Sequence, residues 1–198
     1  MKKLSAIVSD FDDTLFFNKG AISSAAEELY RSLEGKQSVD CNHQLMNGLK
    51  TIITDGKVPH GFDKALKTSL YSLAYVKYSD KLIPNKPLID YIKAIANEDT
   101  ELLILSARVE EFRYKTEEAL LSNGLRFKKV ILPENHDMKD EHWKLLELKK
   151  VERDYNHITF LEDKEENIRY IINNMDGGKI DFYLVEGQIL KYISASRF

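Results

Sequence analysis

Ile7-Val8-Ser9-Asp10-Phe11-Asp12-Asp13-Thr14-Leu15-Phe16 is the stretch on which the fold turns. An apolar run ends in three acids within four positions, and a threonine and renewed apolar residues follow. Carboxylates crowded where a buried strand should end repel one another unless a cation or a proton compensates. The stretch therefore predicts a strand whose end carries a site.

Five short apolar runs read as buried strands: Leu4 to Ser9, Leu102 to Leu105, Lys129 to Leu132, Ile158 to Leu161 and Asp181 to Val185. Their apolarity is continuous rather than alternating, as expected for a parallel sheet covered on both faces. Helical patterns separate the last four. Glu110 to Asn123 stops at Gly124, and Ile168, Ile171, Ile172 and Met175 recur at helical spacing before Gly177-Gly178. The alternation predicts an α/β, Rossmann-like three-layer domain with a five-stranded parallel sheet and right-handed crossovers.

Residues 17–84 break this rhythm. Apolar residues recur at helical spacing in three sets: Ile22, Ala26, Leu29, Tyr30 and Leu33; Leu45, Met46, Leu49, Ile52 and Ile53; and Phe62, Leu66, Leu70 and Leu73. Gly56, Pro59 and Gly61 punctuate the last two, and Pro84 to Pro87 closes the segment before Leu88 to Ala96 turns helical again. The expectation is a small all-helical cap at 17–84, inserted after the first strand into a core of 1–16 and 85–198. The competing reading gives these helices to the main core.

The totals agree with such a plan. The chain has 198 residues, 43% hydrophobic and 31% charged, which excludes a disordered chain and suits one domain, alone or with an insertion. A domain of that length buries about 70% of its unfolded surface. The net charge of −3 excludes a global positive field for nucleic acid, so such a substrate needs a local basic patch, aided by a bound divalent cation. Cys41 is the only cysteine, which excludes an internal disulfide or a zinc ribbon and is read as an inert small residue. The apolar stretch after Met1-Lys2-Lys3 is too short for a signal peptide, and no run approaches a membrane span. A soluble, cytoplasmic protein without a membrane association or an obligate protein partner is expected.

In an open parallel sheet, ligands gather beyond the carboxyl ends of the strands. Asp10, Asp12 and Thr14 follow the first run, Ser106, Ala107 and Arg108 the second, and Glu162 and Asp163 the fourth. Acids, a hydroxyl and an arginine thus meet at one edge. That set suits phosphoryl transfer, which needs a divalent cation, neutralisation of phosphate charge and a nucleophile in line. Oxygen ligands without paired His or Cys favour Mg2+ over zinc, and the five histidines show no metal-ligand spacing. A carboxylate can serve as the nucleophile, and a second acid two residues on can move the proton.

These motifs resemble a known family. Asp10-Phe11-Asp12-Asp13-Thr14-Leu15 is similar to the first motif of the haloacid dehalogenase superfamily of phosphohydrolases, Asp-x-Asp-x-Thr after an apolar strand. Leu103-Ile104-Leu105-Ser106 resembles its second motif, and Leu161-Glu162-Asp163-Lys164-Glu165-Glu166-Asn167 its acidic fourth. The resemblance implies that Asp10 is the nucleophile and a magnesium ligand. It makes Asp12 the general acid and base, with its backbone carbonyl on the metal, and implies that Thr14 steadies the loop and Ser106 binds phosphate. Asp163 is the preferred metal ligand of the acidic pair, with Glu162 beside it, and Asn167 is placed to hold a metal-bound water. Asp13, where many relatives have glycine, reads as a solvated or loop-capping acid. The third-motif lysine is expected at Lys144, at the start of a helix, with Lys139, Lys149 and Lys150 as competitors.

Ser106-Ala107-Arg108 further resembles the Ser-Gly-Arg or Thr-Gly-Arg triplet of polynucleotide kinase phosphatases and of Swiss Army Knife RNA repair-like proteins, where the arginine reaches substrate phosphate. Residues 123–133, from Asn123-Gly124-Leu125 to Leu132-Pro133, and Trp143-Lys144 are similar to further patterns of that group, although alanine replaces the triplet's glycine. The implied function is a magnesium-dependent phosphomonoester hydrolase acting through an aspartyl-phosphate. Its substrate would be a phosphorylated small molecule or a nucleic-acid end, with a nucleotide or nucleic-acid terminal phosphate preferred. Phosphotransfer by a mutase and a non-catalytic phosphate-binding module are the alternatives.

Overall fold

The structure, a computed structural model, describes residues 4–34, 42–175 and 178–194. Cys41 and Gly177 fall outside them. The chain divides into two compact units, residues 1–16 with 84–198, and residues 17–83.

In chain order the elements are β1 (Ser5–Ser9), β2 (Phe16–Phe17), α1 (Lys19–Glu34), α2 (Asn42–Asp55), α3 (Lys64–Ser72), β3 (Ile83–Pro84) and α4 (Lys86–Ile95). Then follow β4 (Thr100–Leu105), α5 (Arg113–Ser122), β5 (Lys129–Ile131), α6 (Asp140–Asp154), β6 (His157–Glu162), α7 (Glu165–Asn174), β7 (Ile180–Glu186) and β8 (Ile189–Ile193). The main sheet runs β5-β4-β1-β6-β7-β8, and β2 and β3 form a separate two-stranded sheet. Five of the main strands are parallel, as the apolar runs predict.

A sixth strand, β8, was not foreseen. It pairs antiparallel with β7 through a two-residue turn at Gly187-Gln188, where Gly187 takes φ +61°, a conformation glycine adopts without strain. β8 reads Ile189-Leu190-Lys191-Tyr192-Ile193 and leaves Ile189, Lys191 and Tyr192 exposed, so it lacks the continuous apolarity of a strand covered on both faces.

Parity along the strands decides what each face meets. Ala6 and Val8 of β1, Leu103 and Leu105 of β4, and Ile158 and Phe160 of β6 share a core with Leu145, Leu148 and Val151 of α6 and Ile168, Ile171 and Ile172 of α7. Side chains two positions apart face the same way, so the next such residues, Asp10 and Glu162, also face α6. Phe160 and Phe182 meet edge to face, with centroids 6.1 Å apart, in the middle of this core.

The second unit is helical. α1 buries Ala21, Ile22, Ala25 and Ala26, α2 buries Leu49 and Ile52, and α3 buries Leu70. Asp63 caps α3, accepting the Leu66 N–H at 2.9 Å, and the chain then passes through a π turn at Leu73–Lys77. α2 ends at Gly56, whose φ of +72° and place against Lys19 leave no room for a Cβ.

Phe160→Ala is expected to destabilise the protein by about 3–5 kcal/mol through the cavity it opens, whereas Ile189→Ala on the exposed edge should stay within about 0.5 kcal/mol. Chemical denaturation of both variants checks the difference.

Candidate active site

The Asp10 N–H donates to the Leu161 carbonyl at 2.9 Å, carrying the β1–β6 ladder one residue past β1. This sets the Asp10 side chain beside the end of β6. One turn into α6, Lys144 reaches the same place from the facing helix. Its Nζ donates to Asp10 Oδ1 at 2.9 Å and to Glu162 Oε2 at 2.7 Å, and lies 3.5 Å from Asp140 Oδ1. Lys144 is 1% exposed and Glu162 fully buried. Lys139, Lys149 and Lys150 are exposed, and Lys150 pairs with Glu147.

Asp12 is held from the end of β4. Arg108 donates from Nε to Asp12 Oδ2 at 2.8 Å and from Nη2 to Oδ1 at 2.7 Å, the bidentate geometry an arginine fork favours. The guanidinium also lies 4.2 Å from the Phe11 ring centroid and donates to Thr116 Oγ1 at 3.4 Å. The arginine expected on substrate phosphate is thus placed on Asp12, with its side chain buried. Ser106 Oγ accepts the Arg108 N–H at 3.3 Å, and Thr14 Oγ1 donates to Asp163 Oδ1 at 3.5 Å. Asp13 is exposed at φ +58°, a left-handed conformation that glycine takes most easily and Asp tolerates.

Asp140 and Lys164 belong to this network although the sequence did not single them out. Asp140 Oδ2 accepts from Lys164 Nζ at 3.0 Å and from Asn167 Nδ2 at 3.2 Å. Asn167, expected to hold a metal-bound water, is buried with its amide on Asp140. The available signal for Asp140 was its position four residues before Lys144 at a helix start, where an ion pair forms readily.

The acids differ in how their charge is compensated. Asp10, Asp12, Asp140, Glu162 and Asp163 are five carboxylates against three cations, Arg108, Lys144 and Lys164. Arg108 neutralises Asp12, Lys164 serves Asp140, and Lys144 is shared by Glu162 and Asp10. Glu162 is further satisfied by the Lys164 backbone N–H at 3.2 Å. Two negative charges are left over, and they fall on Asp10 and Asp163. Burial pushes Asp10 up to about 7, opposed by Lys144 and reinforced by Glu162. Burial followed by repulsion from Asp10 and Glu162 raises Asp163 to about 9. Asp140 moves the other way: Lys144 and Lys164 outweigh its burial and hold it below the usual carboxylate range. Lys144 is buried too, yet Asp10, Glu162 and Asp140 hold it firmly charged.

One oxygen of each of Asp10, Glu162 and Asp163 lies within 4.8 Å of the others. An oxygen-only donor set with two charges uncompensated fits a hard divalent cation, whose two positive charges match the deficit. Within that set Glu162 accepts from Lys144 and from the Lys164 backbone N–H, and Asp10 Oδ1 accepts from Lys144.

No protein-family profile matches this sequence, and no curated protein matches it. Solved structures do. A haloacid dehalogenase-superfamily hydrolase of subfamily IA from Geobacter sulfurreducens superimposes with a TM-score of 0.55 at 14% identity, over 90% of this chain and 88% of that one. A chain of the Pnkp1/Rnl/Hen1 complex matches with a TM-score of 0.53 at 15% identity, over 93% of this chain and 47% of that one. The present chain thus spans about half the length of that chain. The chain shares its fold with that hydrolase and with the chain of the complex.

Both uncompensated acids titrate higher in the folded state than in the unfolded chain, so folding binds their protons more tightly. The stability they contribute is complete at low pH and is lost as pH rises through about 7 and about 9. In chelator, the melting temperature should therefore fall from about pH 4, the unfolded carboxylate range, to about pH 9, and magnesium should flatten the decline by replacing the protons. Differential scanning calorimetry across that range tests this; a flat or rising curve in chelator refutes it.

Proposed function

We propose that this chain is a magnesium-dependent phosphomonoester hydrolase that works through an aspartyl-phosphate on Asp10. The observation that carries the reading is the juxtaposition of two charge-deficient acids, Asp10 and Asp163, with Lys144 at the strand ends, two residues from the Arg108-held Asp12. Magnesium held by Asp10, Asp163 and the Asp12 carbonyl, with Glu162 beside it, would neutralise charge on the phosphate oxygens.

The residues divide the work. Lys144 keeps Asp10 oriented, so its carboxylate can attack phosphorus while the bond to the leaving oxygen breaks. Asp12 gives that oxygen its proton, then takes one from the water that cleaves the acyl phosphate and restores Asp10. The Ser106 hydroxyl hydrogen-bonds a phosphate oxygen, and Thr14 steadies the loop against Asp163. Arg108 links binding to chemistry: a phosphate dianion competes with Asp12 for the guanidinium, which frees the Asp12 carboxyl to turn toward the leaving oxygen.

A nucleotide or nucleic-acid terminal phosphate is the preferred substrate. The Ser106-Ala107-Arg108 triplet supports this, as does the likeness to a chain of an RNA repair complex, of which the present chain covers 42% at a TM-score of 0.55. The helical unit at 17–83 acts as the cap that selects among substrates. Among the described residues no helix is long and apolar enough to cross a membrane, and we place the reaction in the cytoplasm.

Hydrolysis of a chromogenic aryl phosphate with magnesium tests the chemistry. Asp10→Asn should lose at least about 1,000-fold in kcat, and Asp12→Asn about 100-fold or more. If wild type equals Asp10→Asn over a wide substrate panel, the chain is a binding module; if a phosphorylated acceptor accumulates with little free phosphate, it is a mutase. Arg108→Ala should weaken inhibition by inorganic phosphate, and Asp163→Ala should raise the magnesium needed for half-activity about 10-fold or more. Comparing 3′-phosphorylated oligonucleotides, free nucleotides and sugar phosphates tests the substrate, and no preference for the first two rejects it.

A further inference from the structure

Asn85 stands immediately before α4, at the N-cap position where an asparagine side chain ordinarily accepts an N–H of the first helical turn. Here it makes no such bond. The side chain is fully buried and turned elsewhere: Nδ2 donates to the Thr14 carbonyl at 3.0 Å and to the Gly187 carbonyl at 2.8 Å. The Asn85 backbone N–H donates to the Leu15 carbonyl at 2.8 Å. One residue thus holds two successive carbonyls of the loop that carries Asp10, Asp12 and Thr14, together with the tip of the β7–β8 hairpin. Both amide protons go to carbonyl oxygens, which fixes the orientation of the amide. Its Oδ1 is buried without a hydrogen-bond partner among the described residues, a cost that a cap would have avoided.

The loop needs such a hold. Its own bonds close on themselves, from the Leu15 and Phe16 N–H groups to the Phe11 carbonyl and from the Asp13 N–H to the Phe16 carbonyl. Those bonds fix the loop's shape; toward the sheet, Arg108 holds the Asp12 carboxylate and Thr14 Oγ1 reaches Asp163, but both act through side chains and leave the loop's backbone to other ties. At its start the loop is tied to β6 by the Asp10 N–H; at its far end Asn85 supplies the tie.

We propose that Asn85 is a positioning residue for the reaction: it clamps the far end of the Asp10–Thr14 loop to the β7–β8 hairpin, and the hairpin thereby braces Asp12 and Thr14 in their working geometry. The inference rests on the hydrolase reading above for its catalytic consequence, while the clamp itself stands on geometry.

The test uses Asn85→Ser and Asn85→Asp in the full chain. Serine can cap α4 but is too short to span Thr14 and Gly187; aspartate keeps the size and sets an oxygen against two carbonyls. Amide hydrogen exchange should speed up about tenfold or more in residues 11–17 and 185–190 of both variants and stay unchanged in β4. With aryl phosphate and magnesium, kcat should fall about tenfold or more while KM changes far less, since misplacement of an acid–base group affects the reacting state more than binding. Unchanged exchange in either segment overturns the clamp. Faster exchange with wild-type kcat, measured well below each melting temperature, overturns the positioning role. If wild type hydrolyses no phosphate ester, the hydrolase reading and the positioning role built on it fall, while the exchange data still decide the clamp.

Discussion

A lysine ammonium with 1% exposure between two strand-end carboxylates is the constraint to which the rest of the first unit answers. Removing a cation of this kind from water costs several kcal/mol, which is recovered only where its partners are close and well aimed. Lys144 meets that demand with bonds of 2.9 and 2.7 Å, but only because β1 and β6 end in register and α6 begins beside them. A slip of one residue in either strand would turn Asp10 or Glu162 to the other face of the sheet. The core beneath, from Val8 and Phe160 to Leu145 and Leu148, holds the register that the ion cluster needs.

The cluster then sorts its acids by partner rather than by residue type. Asp12 has Arg108, Asp140 has Lys164, and Glu162 has Lys144 at 2.7 Å and the Lys164 N–H as well, whereas Asp10 has only a share of Lys144. Asp10 and Asp163 are left with protons or a divalent ion. A buried acid with a raised pKa and a specific charge partner marks a functional site more often than a structural one. That mark distinguishes this edge of the sheet from the exposed ion pairs elsewhere, such as Glu27 with Arg31 or Glu165 with Arg169, which are ordinary helix-surface pairs.

How much of this could be read in the sequence follows from the range of each interaction. The strand ends were legible because burial on both faces leaves a local signature, an apolar run cut off by polar residues. Lys144 was legible from its place at a helix start. β8 was not, since an edge strand with one face in solvent resembles any alternating segment, here interrupted by Lys191. Asn85 was illegible for another reason: its partner Gly187 lies 102 residues away, and nothing local announces it, whereas Asp140 had one local mark, its place four residues before Lys144, but its bond to Lys164 spans 24 residues. Arg108 was found, but the sequence could not say that its fork would close on Asp12.

The strand order explains why these groups meet where they do. From β1 the chain moves to β4 and outward to β5, then crosses back to β6 on the other side of β1 and outward to β7. Connections that leave adjacent strands in opposite directions open a crevice beyond their carboxyl ends, here between β1 and β6. Asp10 ends one of those strands and Glu162-Asp163 the other, so the topology alone brings the two uncompensated acids together. The antiparallel β8 adds nothing to that crevice directly. Its contribution is the turn at Gly187, which gives Asn85 a fixed point on the sheet from which to hold Thr14. A strand with half its side chains in water can thus support the site through one backbone carbonyl, a dependence that packing at the sheet edge would not reveal.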